Sequence, residues 1–232
     1  MADSKLKIIA EGVVGAGAIA LTALLSPLLR PFYRHWGATE AEVKRTLPGD
    51  EIVPRPKSEL NCAITIRAPA EAVWPWFIQL GCQRGGWYSY DLLDNGGVPS
   101  ADRIVPEYQR LEVGEIVKAV PNGSFGFPVA AIDPGRVLTL AGTINTQTGK
   151  PAEPGETRPD AFFSGDQTFA VNAIDGRSSR LFFRMRIDWN RSWINTLIYR
   201  GLLEPVSFVM SRKTLINVKR RAEALATKGM GD

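Results

Sequence analysis

"CAITIRAPAEAVWPWFIQLG", residues 62–81, decides the fold. Cys62, Ile64 and Ile66 alternate with Ala63, Thr65 and Arg67, the two-residue period of a strand with one face inward. "APAEAV" stops that strand and starts a helix. A proline stands near the first helical turn, and Glu71 lies where the helix dipole favours an acid. Val73, Trp76, Phe77 and Leu80 then recur at helical spacing. Pro75 falls in the first turns, where its missing N–H is tolerated, and Gly81 ends the helix. A second short helix includes "SYDLLDN", 89–95.

Beyond that helix the pattern is strands. "VGEIVKAV" offers a turn and a strand, and "PVAAIDPGRVLTLAG" gives two strands around the turn Asp133-Pro134-Gly135-Arg136. The polar, Gly- and Pro-rich stretch 142–160 reads as a long hairpin loop. "SGDQTFAVNAI" and "RLFFRMRIDW" follow, joined by Asp175-Gly176-Arg177. In the latter, Leu181, Phe183, Met185, Ile187 and Trp189 share one face, and Phe182, Arg184, Arg186 and Asp188 share the other. The chain closes with an amphipathic helix over 204–226. Phe208, Ser211, Leu215, Val218, Ala222 and Leu225 line one side of it, and its basic residues face solvent or an anionic surface. The order predicts an α+β fold: a curved antiparallel sheet around one long C-terminal helix, with apolar strand faces lining the space between.

Upstream, residues 8–29 read "IIAEGVVGAGAIALTALLSPLL", with Glu11 the single charge. Gly12 to Leu29 would span roughly 27 Å as a helix, close to a hydrocarbon core of about 30 Å. "RPFYRHW" follows at 30–36, an aromatic and basic cluster suited to a membrane interface. The run is read as a single membrane-spanning anchor. A cleaved signal or a buried or interfacial helix are the alternatives, and no convincing cleavage site precedes the basic cluster. Basic residues are in excess on its C-terminal side, which places the globular part in the cytoplasm, at the cell membrane. Thr39 and Glu42 form a capping-box pattern, and Pro48, Gly49, Pro54 and Pro56 make an extended linker. The organisation is therefore an anchor over 1–36, a juxtamembrane helix and linker over 37–59, and a globular domain over 60–228.

Net charge is +4 with no long block of like charge, so nucleic acid is not an expected partner. Two cysteines without CxxC spacing and one distant histidine, His35, give no metal site and no cysteine- or serine-based triad. No cofactor motif is present. "GCQRGGWYSYD", 81–91, lacks both phosphate-loop patterns and follows a helix rather than a strand. Gly85 and Gly86 permit a tight turn there, and Trp87, Tyr88 and Tyr90 offer stiff area with polar edges. They either rim a pocket or pack the short helices on the sheet. Asp91 is placed to cap the second helix or to pair with Arg84 or Arg103.

The segments "AITIRAPAEAVWPWFIQLG", "RGGWYSYDLLDN", "SADRIVPE", "LEVGE" and "FVMSRKTLINVKRRAE", with "WGAT" at 36–39, resemble the START/Bet v 1-like (SRPBCC) superfamily, in its bacterial polyketide cyclase/dehydrase and lipid-transport-like branch. The resemblance implies a helix-grip fold and an internal cavity for sterols, lipids, polyketides or other apolar molecules. It supplies no shared catalytic set. The expected ligand-contacting residues are Trp76, Trp87, Tyr88, Tyr90, Arg103, Phe183, Met185, Phe208, Ser211 and Leu215. The leading expectation is a membrane-tethered binder or transporter of a hydrophobic small molecule or lipid. Two alternatives stand beside it. One is a polyketide cyclase/aromatase-like enzyme using Tyr88, Tyr90, Asp91 or Arg103. The other is an assembly module whose cavity is filled by its own side chains.

Overall fold

The computed structural model describes residues 2–152 and 159–228. Six strands, β1 (Ser58–Ile66), β2 (Ile116–Lys118), β3 (Gly126–Asp133), β4 (Val137–Asn145), β5 (Phe162–Asp175) and β6 (Ser178–Trp189), form one antiparallel sheet in the order β1-β6-β5-β4-β3-β2. The helices are α1 (Ala2–Leu24), α2 (Ser26–Tyr33), α3 (Glu40–Lys44), α4 (Ala70–Ile78), α5 (Asp91–Asp94), α6 (Trp193–Ile198) and α7 (Glu204–Lys228). The sheet curves around α7, so the helix-grip fold implied by the resemblance is the fold the chain adopts.

Several local details differ from the sequence reading. Pro75 is the sixth residue of α4, beyond the first turn, so it removes one helical hydrogen bond. The helix stops at Ile78, before Gly81. β4 extends to Asn145, into the stretch read as loop; residues 153–158 of that loop lie outside the described residues. The segment between β6 and α7, given no structure from sequence, holds α6 and a π-helical turn, Tyr199–Leu203.

β6 has the expected alternation, and both of its faces are covered. Leu181, Phe183, Ile187 and Trp189 are buried on the concave side, toward α4 and α7. On the convex side Arg184 is also buried, its side chain 3% exposed. Residues 38–57 lie across this face as a strap. Arg184 directs Nε to Asn61 Oδ1 (3.0 Å), Nη1 to Arg45 O (2.8 Å) and Asp50 Oδ2 (2.8 Å), and Nη2 to Glu42 O (3.1 Å) and Val43 O (2.8 Å). Those bonds use every N–H of the guanidinium. Arg186 pairs with Asp50 at 2.9 Å, and Leu47 packs with Ala63, Ala170 and Phe182. The capping box of α3 forms, with Thr39 Oγ1 accepting from Glu42 N. Arg180 grips the Glu42 carboxylate through Nε (2.7 Å) and Nη2 (2.9 Å), which holds that carboxyl down at about 2. Ahead of the strap, Arg34 O and Trp36 O accept from Asn61 N (2.7 Å) and Ala63 N (2.9 Å) of β1.

At the N-terminus, Ser4–Leu24 is long and apolar enough to cross a membrane by length and composition. In this structure it lies alongside α7, running the opposite way: Glu11 pairs with Lys213 at 3.2 Å, and Arg30 of α2 pairs with Glu204 at 2.8 Å. The buried Glu204 carboxylate also accepts from Tyr33 Oη (3.3 Å) and from Ser58 Oγ. The side of α1 that meets the domain is small. A methyl group on Gly12 would lie 2.4 Å from Leu92, and one on Gly15 would lie 2.7 Å from the Tyr90 ring. The opposite side carries exposed Leu6, Ile9, Val13, Val14, Leu21 and Leu24, and α2 adds Leu28 and Phe32.

Two expectations follow. Replacing Arg184 by Ala leaves Asp50 with Arg186 alone and strips the strap carbonyls of Glu42, Val43 and Arg45 of their buried donor, so unfolding in denaturant should show a loss of about 3–5 kcal/mol. An unchanged unfolding midpoint would refute the strap's role. Gly15→Leu should separate α1 from α5 and α7, raising amide exchange across α1 and around Tyr90 while leaving β5 and β6 protected.

Candidate functional site

The concave face is not filled evenly. At one end α4 and the C-terminal half of α7 close on the sheet. Phe77 stacks on Phe169 and Phe169 meets Phe183 at a tilt, each pair with ring centroids 5.0 Å apart, and Leu215, Val218 and Ala222 are fully buried. Toward the N-terminal end of α7, the inward positions carry Ser207 and Ser211, which are too short to reach the strands. A cavity opens there in two joined lobes.

One lobe, about 180 Å³, lies between α7 and the loop after α4. Trp87, Ser89 and Asp94 face it from the loop and α5, Gln167 and Met185 from the sheet, and Ser211 from α7. The other, about 300 Å³, is more apolar and runs between Phe125, Leu140, Ile144 and Phe163 of the sheet side and Tyr199 and Leu203 of the π-helical turn. Phe127, Gln167, Met185 and Ser207 border both. Sites for apolar small molecules combine this kind of greasy wall with a few placed polar groups.

The loop at 81–91 is held by tight backbone geometry. Gly81 and Gly86 pair across it, and Gln83 and Tyr88 adopt φ of 62° and 57°, a left-handed conformation uncommon for residues with side chains. Added methyl groups on Gly85 and Gly86 would meet Gln79 O at 2.6 Å and Ser100 Oγ at 2.4 Å. Arg84 turns inward, donating through Nη2 to the carbonyls of Ile78 (2.9 Å) and Tyr108 (2.8 Å). Cys82 N donates to Lys118 O of β2 at 2.8 Å. Asp91 accepts from Ser100 N (3.0 Å) and Ser100 Oγ (2.5 Å) rather than from Arg84 or Arg103.

This geometry sorts the expected site residues. Trp87, Phe183, Met185 and Ser211 stand on the cavity wall. Trp76 packs edge-on against Tyr88 in the filled part of the core. Tyr88 is bonded to Gln79 at 2.5 Å and covered by Arg221, with burial pushing its phenol up to about 12. Tyr90 packs beneath Gly15 and Lys213, Phe208 stacks on Tyr33, and Leu215 is core. The Arg103 side chain is exposed, and its carbonyl accepts from Gln79 Nε2 at 3.1 Å. Both thiols are pushed up by burial, Cys62 to about 12. Among the described residues no three His, Cys, Asp or Glu side chains gather into a metal-binding group.

The sequence reading omitted Asp94, Gln167 and Ser207 from the site. Two signals were available: Gln167 is a polar residue on the same strand face as Phe169, and Ser207 precedes Ser211 by one helical turn. Asp94 gave none, since its direction depends on how the preceding loop folds. Burial, and next the neighbouring Asp91, push the Asp94 carboxyl up to about 7, against opposing bonds from its own backbone and Ser89. Asp166, on the convex face, is raised to about 7 by burial as well.

No family model matches the chain, and no curated protein matches it. Solved structures similar to it include a Zhui aromatase/cyclase from Streptomyces sp. R1128 (14% identity, TM-score 0.33, covering 72% of this chain and 93% of that one). A Polyketide_cyc-like protein from Corynebacterium glutamicum is 11% identical, with TM-score 0.38 and coverage of 73% and 94%. A protein from Arthrobacter aurescens is 11% identical, with TM-score 0.40 and coverage of 78% and 92%.

The Asp94 value sets a sign for pH dependence. Its folded value of about 7 lies above the ordinary 3.8, so the folded chain keeps a proton that the unfolded chain releases between those limits. Stability contributed by this group therefore falls as pH rises through that window. Relative to the parent, Asp94→Asn should gain stability progressively from about pH 4 to about pH 7 and hold that gain above it. Denaturant titrations across this range would show parallel curves if Asp94 were ordinary.

Proposed function

We propose that the protein binds a hydrophobic small molecule or lipid in the cavity between α7 and the concave face of the sheet, and that it does so at the cell membrane, held by its N-terminal helix. The observation that carries this reading is the two-lobed cavity itself, apolar throughout, with a few polar groups gathered in the smaller lobe. In this reading residues 1–36 are the membrane-associating part, 37–59 the strap, and 60–228 the binding domain, on the cytoplasmic side. The exposed apolar side of α1 is the surface that meets lipid. Crossing the bilayer as a single span would require α1 to leave α7, which separates Gly12 and Gly15 from Leu92 and Tyr90 and breaks the Glu11–Lys213 pair. Transport is the finer form of this reading: a tethered carrier that takes an apolar cargo from the membrane and presents it elsewhere.

A polyketide cyclase/aromatase-like activity is the second reading, and Asp94 favours it, as a cavity carboxyl poised near neutrality. The other acid–base candidates are less suited. Tyr88 is bonded and pushed up to about 12, Asp91 is engaged by Ser100, and Arg103 points to solvent.

The test is to titrate the full chain in nanodiscs with N-phenyl-1-naphthylamine, beside empty nanodiscs, and to extract the purified protein for lipid analysis. Saturable fluorescence above the nanodisc background is expected, with affinity reduced at least tenfold by Met185→Trp, which fills the junction of the lobes. Equal fluorescence from parent and variant, together with no copurifying apolar molecule, would overturn the reading.

A further inference from the structure

The smaller lobe contains two buried groups that the protein leaves without a well-formed hydrogen bond. Trp87 Nε1 has only the weak acceptor Cys82 Sγ beside it, and the carboxyl oxygens of Asp94 have only strained contacts with Ser89 and their own backbone. Both residues line the same lobe of about 180 Å³. Buried polar groups in this condition are destabilising, so folding alone gives no reason to place two of them together. The neighbouring polar groups relieve them only in part, because each has another partner. Ser89 Oγ is directed at Met210 Sδ (3.3 Å), Thr214 Oγ1 donates to Trp87 O (2.8 Å), and Cys82 Sγ donates to the Asp94 carbonyl (3.1 Å). Gln167, Ser207 and Ser211 complete the polar side. Among the described residues no lysine or arginine belongs to the wall of this lobe, and the charge acting on Asp94 is that of the acid Asp91.

We infer that this end of the cavity recognises a head group that donates a hydrogen bond, a hydroxyl or an amine on an apolar body, and that it discriminates against a carboxylate head. The head donates to Asp94. A hydroxyl oxygen also accepts from Trp87 Nε1, so one small group satisfies both orphans at once. The apolar body continues past Met185 and Gln167 into the larger lobe. A carboxylate placed in the same position meets another acid and finds no cation. Burial keeps Asp94 partly protonated near neutrality, and an incoming ammonium draws it back to the charged form.

This inference rests on the cavity being the ligand site, and the experiment separates the two. The full chain in nanodiscs is titrated calorimetrically with octylamine, octan-1-ol and octanoate at pH 8, with empty nanodiscs subtracted. The expected order of affinity is octylamine, then octanol, with octanoate at least tenfold weaker than octanol. Asp94→Asn should remove most of the amine preference and raise octanoate affinity. Trp87→Phe keeps the ring, loses Nε1, and should weaken octanol severalfold while changing octylamine less. If all three probes bind equally in the parent, or if Asp94→Asn leaves their order unchanged while Met185→Trp still blocks binding, the head-group inference is wrong and the cavity reading stands. If none binds, or Met185→Trp leaves binding intact, the cavity reading fails and the inference fails with it.

Discussion

Strand β6 constrains the rest of the molecule. Its alternation sends large apolar groups to one side and arginines to the other, and it is flanked by β1 and β5, so neither side can be left to solvent without cost. The apolar side calls for a helix, which α7 supplies. The arginine side calls for acceptors, and the strap brings Asp50 and the carbonyls of Glu42, Val43 and Arg45. A buried guanidinium is most tolerable when its charge and all its N–H groups are answered, as those of Arg184 are. The strap is consequently as much a part of the fold as any strand.

The cavity follows from a mismatch on the opposite side. Phe77, Phe169 and Phe183 fill the sheet's curvature at the α4 end. The serines of α7 do not fill it at the other. The void that results is bordered mostly by groups that gain nothing from water, and two polar groups at its smaller end, Trp87 Nε1 and the Asp94 carboxyl, lack a well-formed protein partner. Shape and chemistry thus support the amphiphilic occupant proposed above, in a site built on α7 and the sheet and bounded by a loop fixed by its own backbone.

Much of this architecture is legible in the sequence, because it follows from periodicity and turn chemistry. The β1–α4 junction, the Asp133–Arg136 turn, the two faces of β6, the Thr39–Glu42 capping box and the inward side of α7 as far as Ala222 all follow that way; Leu225, expected on that side, is exposed because the helix there runs past the edge of the core. Other features depend on tertiary partners. Arg184 and Arg186 look like surface residues until the strap is placed over them. The inward side of α1 is invisible because apolar residues surround that helix on nearly every side, so no periodic contrast marks it. Within the site, the left-handed backbone at Gln83 and Tyr88 decides which aromatics turn inward. Trp87 reaches the cavity while Tyr88 and Tyr90 do not, and residue type alone cannot separate them.

The carbonyls of Arg34 and Trp36 have a consequence for the solution behaviour of shorter versions of the chain. They occupy N–H groups on the outer margin of β1, while the loop at Cys82 engages Lys118 on β2 at the far margin. The two ends of the sheet are thus blocked by the protein's own backbone. Cutting the chain immediately before β1, a natural choice for a soluble fragment, would bare a nine-residue strand. An unpaired strand of that length is a template for pairing between molecules, so such a fragment is prone to self-association and precipitation for reasons unrelated to greasiness of its surface.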